Sequence, residues 1–219
     1  MKSLLLLPLL ATLLSAAEKP NIVLIMVDDM GYSDLGCWGG EVETPNIDSL
    51  AKNGLRFTQF YNSARCCPAC ATLLPGLHPH ETGIGLMASE EAPAAALTPP
   101  AYAGNLNDSC VTLAQVAKSA GYATFMTGKW HVAGKSLEDW PMQRGFGRFD
   151  GTIAGAAHFF HPEGWRSVYD GNEKIADPKS TTERAFYTTD AFTDHAIDYT
   201  SRKMKRRASS ASRSRSRRA

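Results

Sequence analysis

Residues Asn21-Ile22-Val23-Leu24-Ile25-Met26-Val27 form a nearly unbroken apolar run that stops at the pair Asp28-Asp29. A half-buried strand alternates apolar and polar residues, whereas a strand covered on both faces of a parallel sheet is apolar throughout. The run therefore predicts an α/β fold with a buried strand and two acids at its carboxyl end. In open α/β sheets that end is where ligands bind. Two adjacent carboxylates there are costly unless a charge offsets them, and a hard divalent cation with oxygen ligands does so directly. One acid capping a turn while the other faces water fits the spacing equally well.

Further along, Thr44 and Pro45 mark a helix start, with Ile47, Leu50 and Ala51 on one face and Gly54 as a stop. Leu55-Arg56-Phe57-Thr58-Gln59-Phe60-Tyr61 alternates like a strand. A short polar loop then leads to Cys66-Cys67-Pro68-Ala69-Cys70, which places Cys66 near a helix N-terminus. The dipole there favours an anion and lowers a thiol pKa. An ordinary buried or disulfide-linked cysteine pair is the plain alternative. Residues 88–109 read as a surface insertion. Residues 108–121 read as an amphipathic helix with Leu113, Val116 and Ala117 inward and Gly121 as its end. The strand 122–127 follows, leading into Gly128-Lys129-Trp130-His131. A lysine and a histidine at a strand's carboxyl end supply a cation and a near-neutral acid–base group, although a solvated turn would also carry them.

Three stretches, in this order, resemble the type I sulfatases. They are residues 19–32 around Asp28-Asp29, residues 57–85 around Cys66-x-Pro68, and Gly128-Lys129-Trp130-His131, with Arg144-Gly145-Phe146 beyond. The resemblance runs from about Lys19 to Tyr199. It implies an alkaline-phosphatase-like α/β sandwich with a mostly parallel central sheet, of which this chain holds the N-terminal part. It further implies a sulfuric ester hydrolase of arylsulfatase type, acting on a small-molecule or carbohydrate sulfate ester. Cys66 would be converted to formylglycine (3-oxoalanine) by a formylglycine-generating enzyme and would serve as nucleophile and metal ligand. Asp28 and Asp29 would bind calcium, or magnesium, and Lys129 and His131 would contact the sulfate and the nucleophile. A phosphate or phosphonate ester hydrolase of the same superfamily is the alternative, and a non-catalytic remnant is another. Two positions depart from the family pattern: Cys70 stands where the signature carries arginine, and Pro75 where it carries Thr or Ser. Positions four apart share a helix face, so an arginine at 70 would support residue 66 with fixed charge and a fork of donors that a thiol lacks. Full members supply further metal and substrate residues from later positions, and with these and the motif arginine absent this chain is expected to turn over little or no substrate. His158 and His161 are read as loop histidines without a role.

Length and charge complete the reading. The 219 residues suffice for a domain with a substantial core. From Arg202 to Arg218 there are nine Lys or Arg and no acid, which leaves 14 basic against 22 acidic residues elsewhere. The body is thus about −8, which excludes a globally basic nucleic-acid-binding domain. The tail, 201–219, has no apolar period and is expected to be disordered and aberrant, although an arginine-serine arm binding phosphates fits its composition. Residues 1–17 read as a signal peptide, too short in their apolar run to span a bilayer. Export to a periplasmic or extracellular, disulfide-permitting space follows, with residues 18–200 as the sulfatase-like domain. The five cysteines are an odd number, as fits one withdrawn for chemistry or one spare thiol.

Overall fold

The computed structural model describes residues 19–87, 99–134, 136–175 and 186–215, with side chains as far as Ser201. The expected signal peptide and most of the expected surface insertion lie outside the described residues. The chain divides into two units, Met1–Leu50 and Ala51–Ala219.

In the first unit, the apolar run is in no strand, and Ile22, Val23 and Ile25 are each about 70% exposed. This corrects the expected buried strand. Such a strand needs ladder partners along both edges and cover on both faces, and a chain segment cannot supply these for itself. The order in this unit comes from polar contacts instead. A 3-10 turn at Gly36–Trp38 is tied to the start of helix α1 (Pro45–Asn53) by the Thr44 hydroxyl and the Asp48 carboxylate. Thr44 Oγ1 accepts from Gly36 N at 2.9 Å and donates to Asp48 Oδ1 at 2.7 Å. Asp48 Oδ1 also accepts from Cys37 N at 2.9 Å. Helix α1 begins at the expected proline and stops before Gly54.

The second unit begins with another correction, because residues 55–61 are irregular and Leu55, Phe60 and Tyr61 are at least 75% exposed. Helix α2 (Cys66–Leu73) then places Cys66 at its first position, as expected. Pro75 lies beyond its last residue, so it takes no bond from the helix interior. Helix α3 (Pro79–Thr82) and a 3-10 turn at Pro100–Tyr102 lead to helix α4 (Leu113–Ser119). Thr112 and Gln115 form a reciprocal capping box: Gln115 N donates to Thr112 Oγ1 and Thr112 N donates to Gln115 Oε1. Its inner residue is Ala114, whereas Leu113 and Val116 are about half exposed, which reverses the expected face. The reason is Gly145: a Cβ there would lie 2.5 Å from Gln115 N, so this loop presses on the Ala114–Gln115 backbone and leaves no space for larger side chains.

Strands β1 (Phe125–Lys129) and β2 (Arg148–Thr152) pair in parallel, with Gly128 opposite Gly151. A Cβ on Gly151 would meet Gly128 O at 1.9 Å, so this register requires glycine. Strands β3 (Tyr169–Asp170) and β4 (Glu173–Lys174) complete a mixed sheet in the order β1-β2-β3-β4, both added antiparallel. Gly171, at φ 60°, makes their two-residue turn. One core joins α2 to the segments after β1 and around β2, through Cys67, Ala71, Ile84, Leu106, Trp130, Val132, Phe149 and Ile153. Leu106 is wholly buried, so the last part of the supposed insertion belongs to the core.

Helix α5 (Thr188–Arg215) covers the sheet. Thr127 Oγ1 donates to Phe192 O at 2.9 Å, and Phe125 stacks on Tyr199 with centroids 5.3 Å apart. Its backbone stays helical through the basic stretch to Arg215, which differs from the disordered tail expected there. No glycine or proline interrupts residues 188–215, and Ala, Arg, Lys and Met are good helix formers. No helix among the described residues is long and apolar enough to cross a membrane.

Under α5, the buried Asp150 lies 3.3 Å from His195 Nε2. Burial pushes its pKa up to about 6, the His195 imidazole opposes this, and the Asp170 carboxylate adds to it. The folded chain thus holds a proton that the unfolded chain releases between roughly pH 4 and 6. Stability should fall as pH rises through that window and level off above it. Urea midpoints at half-unit pH steps should show this slope, and Asp150→Asn should flatten it.

Candidate active site

Helix α2 holds Cys66 by a short series of local bonds. Ala64 N donates to Asn62 Oδ1 at 2.6 Å, Thr72 Oγ1 donates to Pro68 O at 2.9 Å, and the Ser63 and Thr72 hydroxyls lie 3.0 Å apart. Cys66 is half-buried, Cys67 is fully buried, and none of the five cysteines forms a disulfide. Cys70 lies one turn after Cys66 and packs against the core; it carries neither charge nor fork to residue 66. One face of α2 borders a cavity of about 560 Å³ whose lining includes Arg65, Pro68, Thr72, His78, His80 and Met87.

Lys129 and His131 arrive by a different route. Lys129 ends β1 opposite Thr152, and the ladder continues beyond the strand: Trp130 N donates to Thr152 O at 2.9 Å and His131 N to Ile153 O at 3.0 Å. Trp130 between them is fully buried, and its Nε1 donates to Asp139 O at 3.0 Å. His131 is buried with φ 53°, and its ring lies flat against Gly155. A Cβ at Gly155 would be 2.0 Å from both Cε1 and Nε2 of that ring. Gly155 is a supporting residue that the sequence reading missed; the small-residue run Ala154-Gly155-Ala156-Ala157 was its signal.

Asp28 and Asp29 sit in the first unit on an exposed bend, with Asp29 at φ 52°. Paired carboxylates suit a hard cation, which takes six to eight oxygens, so these two would supply part of such a shell. Among the described residues no three His, Cys, Asp or Glu side chains converge as a metal centre. The structure therefore unites Lys129 and His131 at one strand end. It carries Cys66 on a helix of the same core and describes the two aspartates in the other unit. His158 accepts backbone N–H groups from Phe160 and His161 at 3.2 and 3.0 Å, as a loop histidine does.

Three residues other than glycine have a left-handed φ among those described: Asp29, Ala64 and His131. Such strain costs about 1–3 kcal/mol per residue and persists where surrounding structure enforces it, commonly at functional sites. Each of the three stretches singled out by sequence contains one. The support for His131 is testable. Gly155→Ala should destabilise the chain by about 1–3 kcal/mol through overpacking. Gly134→Ala, which meets open space, should stay within about 0.5 kcal/mol. Thermal melts of the two variants check this.

Comparison with known proteins gives the family. A sequence model of the Sulfatase family matches residues 20–212. The chain is 35% identical over 194 residues to an uncharacterized sulfatase of Schizosaccharomyces pombe, covering 83% of this chain and 34% of that protein. It is 34% identical over 184 residues to the arylsulfatase of Klebsiella aerogenes, covering 80% and 38% respectively. Among solved structures, BT4656 in complex with its substrate D-glucosamine-2-N,6-O-disulfate superposes with a TM-score of 0.62 at 26% identity, over 84% of this chain and 31% of that one. The chain thus spans a little over a third of the length of these curated relatives, and its fold is the α/β, alkaline-phosphatase-like one. With the family model covering nearly all of its described residues, this chain belongs to the sulfatase family.

Proposed function

We propose that this chain carries the nucleophile-bearing part of a sulfuric ester hydrolase, with Cys66 as the residue to be matured to formylglycine. The observation that supports this most is the coincidence of backbone strain with the three sulfatase-like stretches, at Asp29, Ala64 and His131. Strain at all three, with Gly155 packed beneath the His131 ring, supports reading them as groups held for chemistry.

In this reading each residue has a distinct part. Lys129 offers positive charge to the sulfate oxygens as charge develops on them. His131, fixed in orientation by Gly155, exchanges a proton with the nucleophile or leaving oxygen. The fully buried Trp130 holds the two in register. The start of α2 presents residue 66 to an anion at the positive end of the helix. Asp28 and Asp29 would hold calcium, or magnesium, which polarises a sulfate oxygen when bound. Formylglycine would supply, through its hydrate, an oxygen nucleophile in place of sulfur. The substrate class is a sulfate ester of a small molecule or carbohydrate, by analogy with the disulfated glucosamine bound by BT4656. We assign residues 1–17 as an export signal, residues 18–200 as the domain and an extracytoplasmic destination on the sequence pattern described above.

Cys70 decides how far this chain proceeds. Co-expressed with a formylglycine-generating enzyme, the unaltered chain should leave Cys66 almost wholly as cysteine in a peptide mass spectrum. Cys70→Arg should raise the aldehyde fraction at least tenfold. No aldehyde in either chain would overturn Cys66 as the maturation site. The unaltered chain should hydrolyse an aryl sulfate barely above background, and robust calcium-dependent turnover would show that the thiol at 70 is tolerated. Faster turnover of the matched aryl phosphate would reassign the substrate class.

A further inference from the structure

The start of α2 gathers more sulfur than a sulfatase nucleophile needs. Met87 reaches back from the loop after α3, where its Sδ lies 3.6 Å from Cys66 Sγ and 3.7 Å from Cys67 Sγ. Two thiols on consecutive residues of one helix thus meet a single thioether. Leu86 O, 3.6 Å from Cys67 Sγ, holds that loop against the helix. Cys70 follows one turn later, half-buried and in no disulfide.

We infer that Cys66, Cys67 and Met87 form a binding site for a soft monovalent cation of the Cu(I) type. The donor set argues for softness: thiolate and thioether sulfur select Cu(I), whereas Ca²⁺ and Mg²⁺ demand oxygen. The spacing argues for low coordination. With metal–sulfur bonds of ~2.3 Å, a three-coordinate planar site needs sulfurs about 4 Å apart, a few tenths of an ångström more than the two thiol–thioether distances here. Among the described residues no third His, Cys, Asp or Glu joins this pair, so a tetrahedral Zn²⁺ set is absent there and the third donor is the thioether. Electrostatics agree as well. Two thiolates and one monovalent cation leave a net charge of −1, which the positive end of α2 and the neighbouring Arg65 offset. Access is provided by Met87, 43% exposed on the wall of the cavity beside α2, while Cys67 is sealed from water.

Binding breaks two S–H bonds and forms two thiolate–metal bonds and one thioether–metal bond. Two protons pass to solvent, and neither metal nor sulfur changes oxidation state. The site needs Cys66 as a thiol, whereas the hydrolase reading needs it as an aldehyde. It stands independently of that reading, and the two are mutually exclusive states of one residue.

The test uses the full chain made by cell-free translation without a converting enzyme, kept reduced and anaerobic. Cu(I) is supplied as its bicinchoninate complex, with loss of the chelate's visible absorbance as the readout. The chain should take up one equivalent of Cu(I) and gain ultraviolet thiolate-to-copper absorption. Met87→Leu, a volume-conserving change, should weaken binding at least tenfold, and Cys66→Ser at least a hundredfold. Cys37→Ser and Cys110→Ser should bind as the parent does. Undiminished affinity in Met87→Leu would overturn the inference, because the thioether would then be a packing contact only. Undiminished affinity in Cys66→Ser would likewise overturn it, by assigning the copper to Cys67 and Cys70. Far-ultraviolet circular dichroism of each variant confirms that the chain compared is folded.

Discussion

The buried ion pair between Arg144 and Asp139 is the interaction on which the second unit most depends. Arg144 Nη2 lies 2.6 Å from Asp139 Oδ1, with both side chains about nine-tenths buried. The same guanidinium donates to Leu106 O and Asn107 O, and Asn105 Nδ2 donates to Asp139 Oδ2 at 3.0 Å. Arg144 O accepts from the Thr112 hydroxyl that caps α4. The backbone of Asp139 receives the Trp130 indole. One pair therefore gathers the loop before α4, the cap of α4, the turn before β2 and the residue between Lys129 and His131. Removing one partner of such a pair leaves a buried charge uncompensated, at a cost of about 3–5 kcal/mol. The Arg-Gly-Phe stretch matters for this reason: Arg144 supplies the charge, Gly145 lets the chain pass over α4, and Phe146 packs edge-on against Trp130.

From this pair the site follows by rigid connection. Trp130 is fixed by its ring and by the parallel ladder, so Lys129 and His131 take up defined positions on either side of it. Gly155, coming off the end of β2, leaves a flat surface for the His131 ring. On the other side of the same core, Cys67 and Ala71 anchor α2, and Cys66 stands at its exposed first position. A helix and a strand end are thus presented from one packed interior, which is how a fold holds chemistry that no single segment could hold.

Much of this was legible in the chain. The helix at Cys66, the capped helix before β1, the strand leading to Gly128 and the stop of α1 at Gly54 all rest on local rules of capping, proline and glycine. The reading failed where burial was inferred from apolar character alone. Residues 21–27 and 55–61 have the composition of strands, yet a strand is made by its neighbours, and here the described sheet is built by β1 to β4. Leu113 and Val116 have the right spacing for an inner face, but a glycine loop thirty residues onward claims the Ala114 side of the helix. The hairpin at Asp170-Gly171 carried a clear turn signal and was overlooked.

The sequence by itself determined the family and singled out the candidate side chains of the site. It also determined the loss of a fixed positive charge at position 70, since all of these are properties of residue type and short spacing. Tertiary structure alone decided which apolar stretches are covered. It decided that Gly155 supports the His131 ring and that Met87 meets Cys66 and Cys67, and it buried Asp150 beneath α5, where loss of water raises its pKa. These depend on atoms brought together from distant positions, where packing and loss of water set the energies, and no local pattern in the chain records which distant residue will arrive.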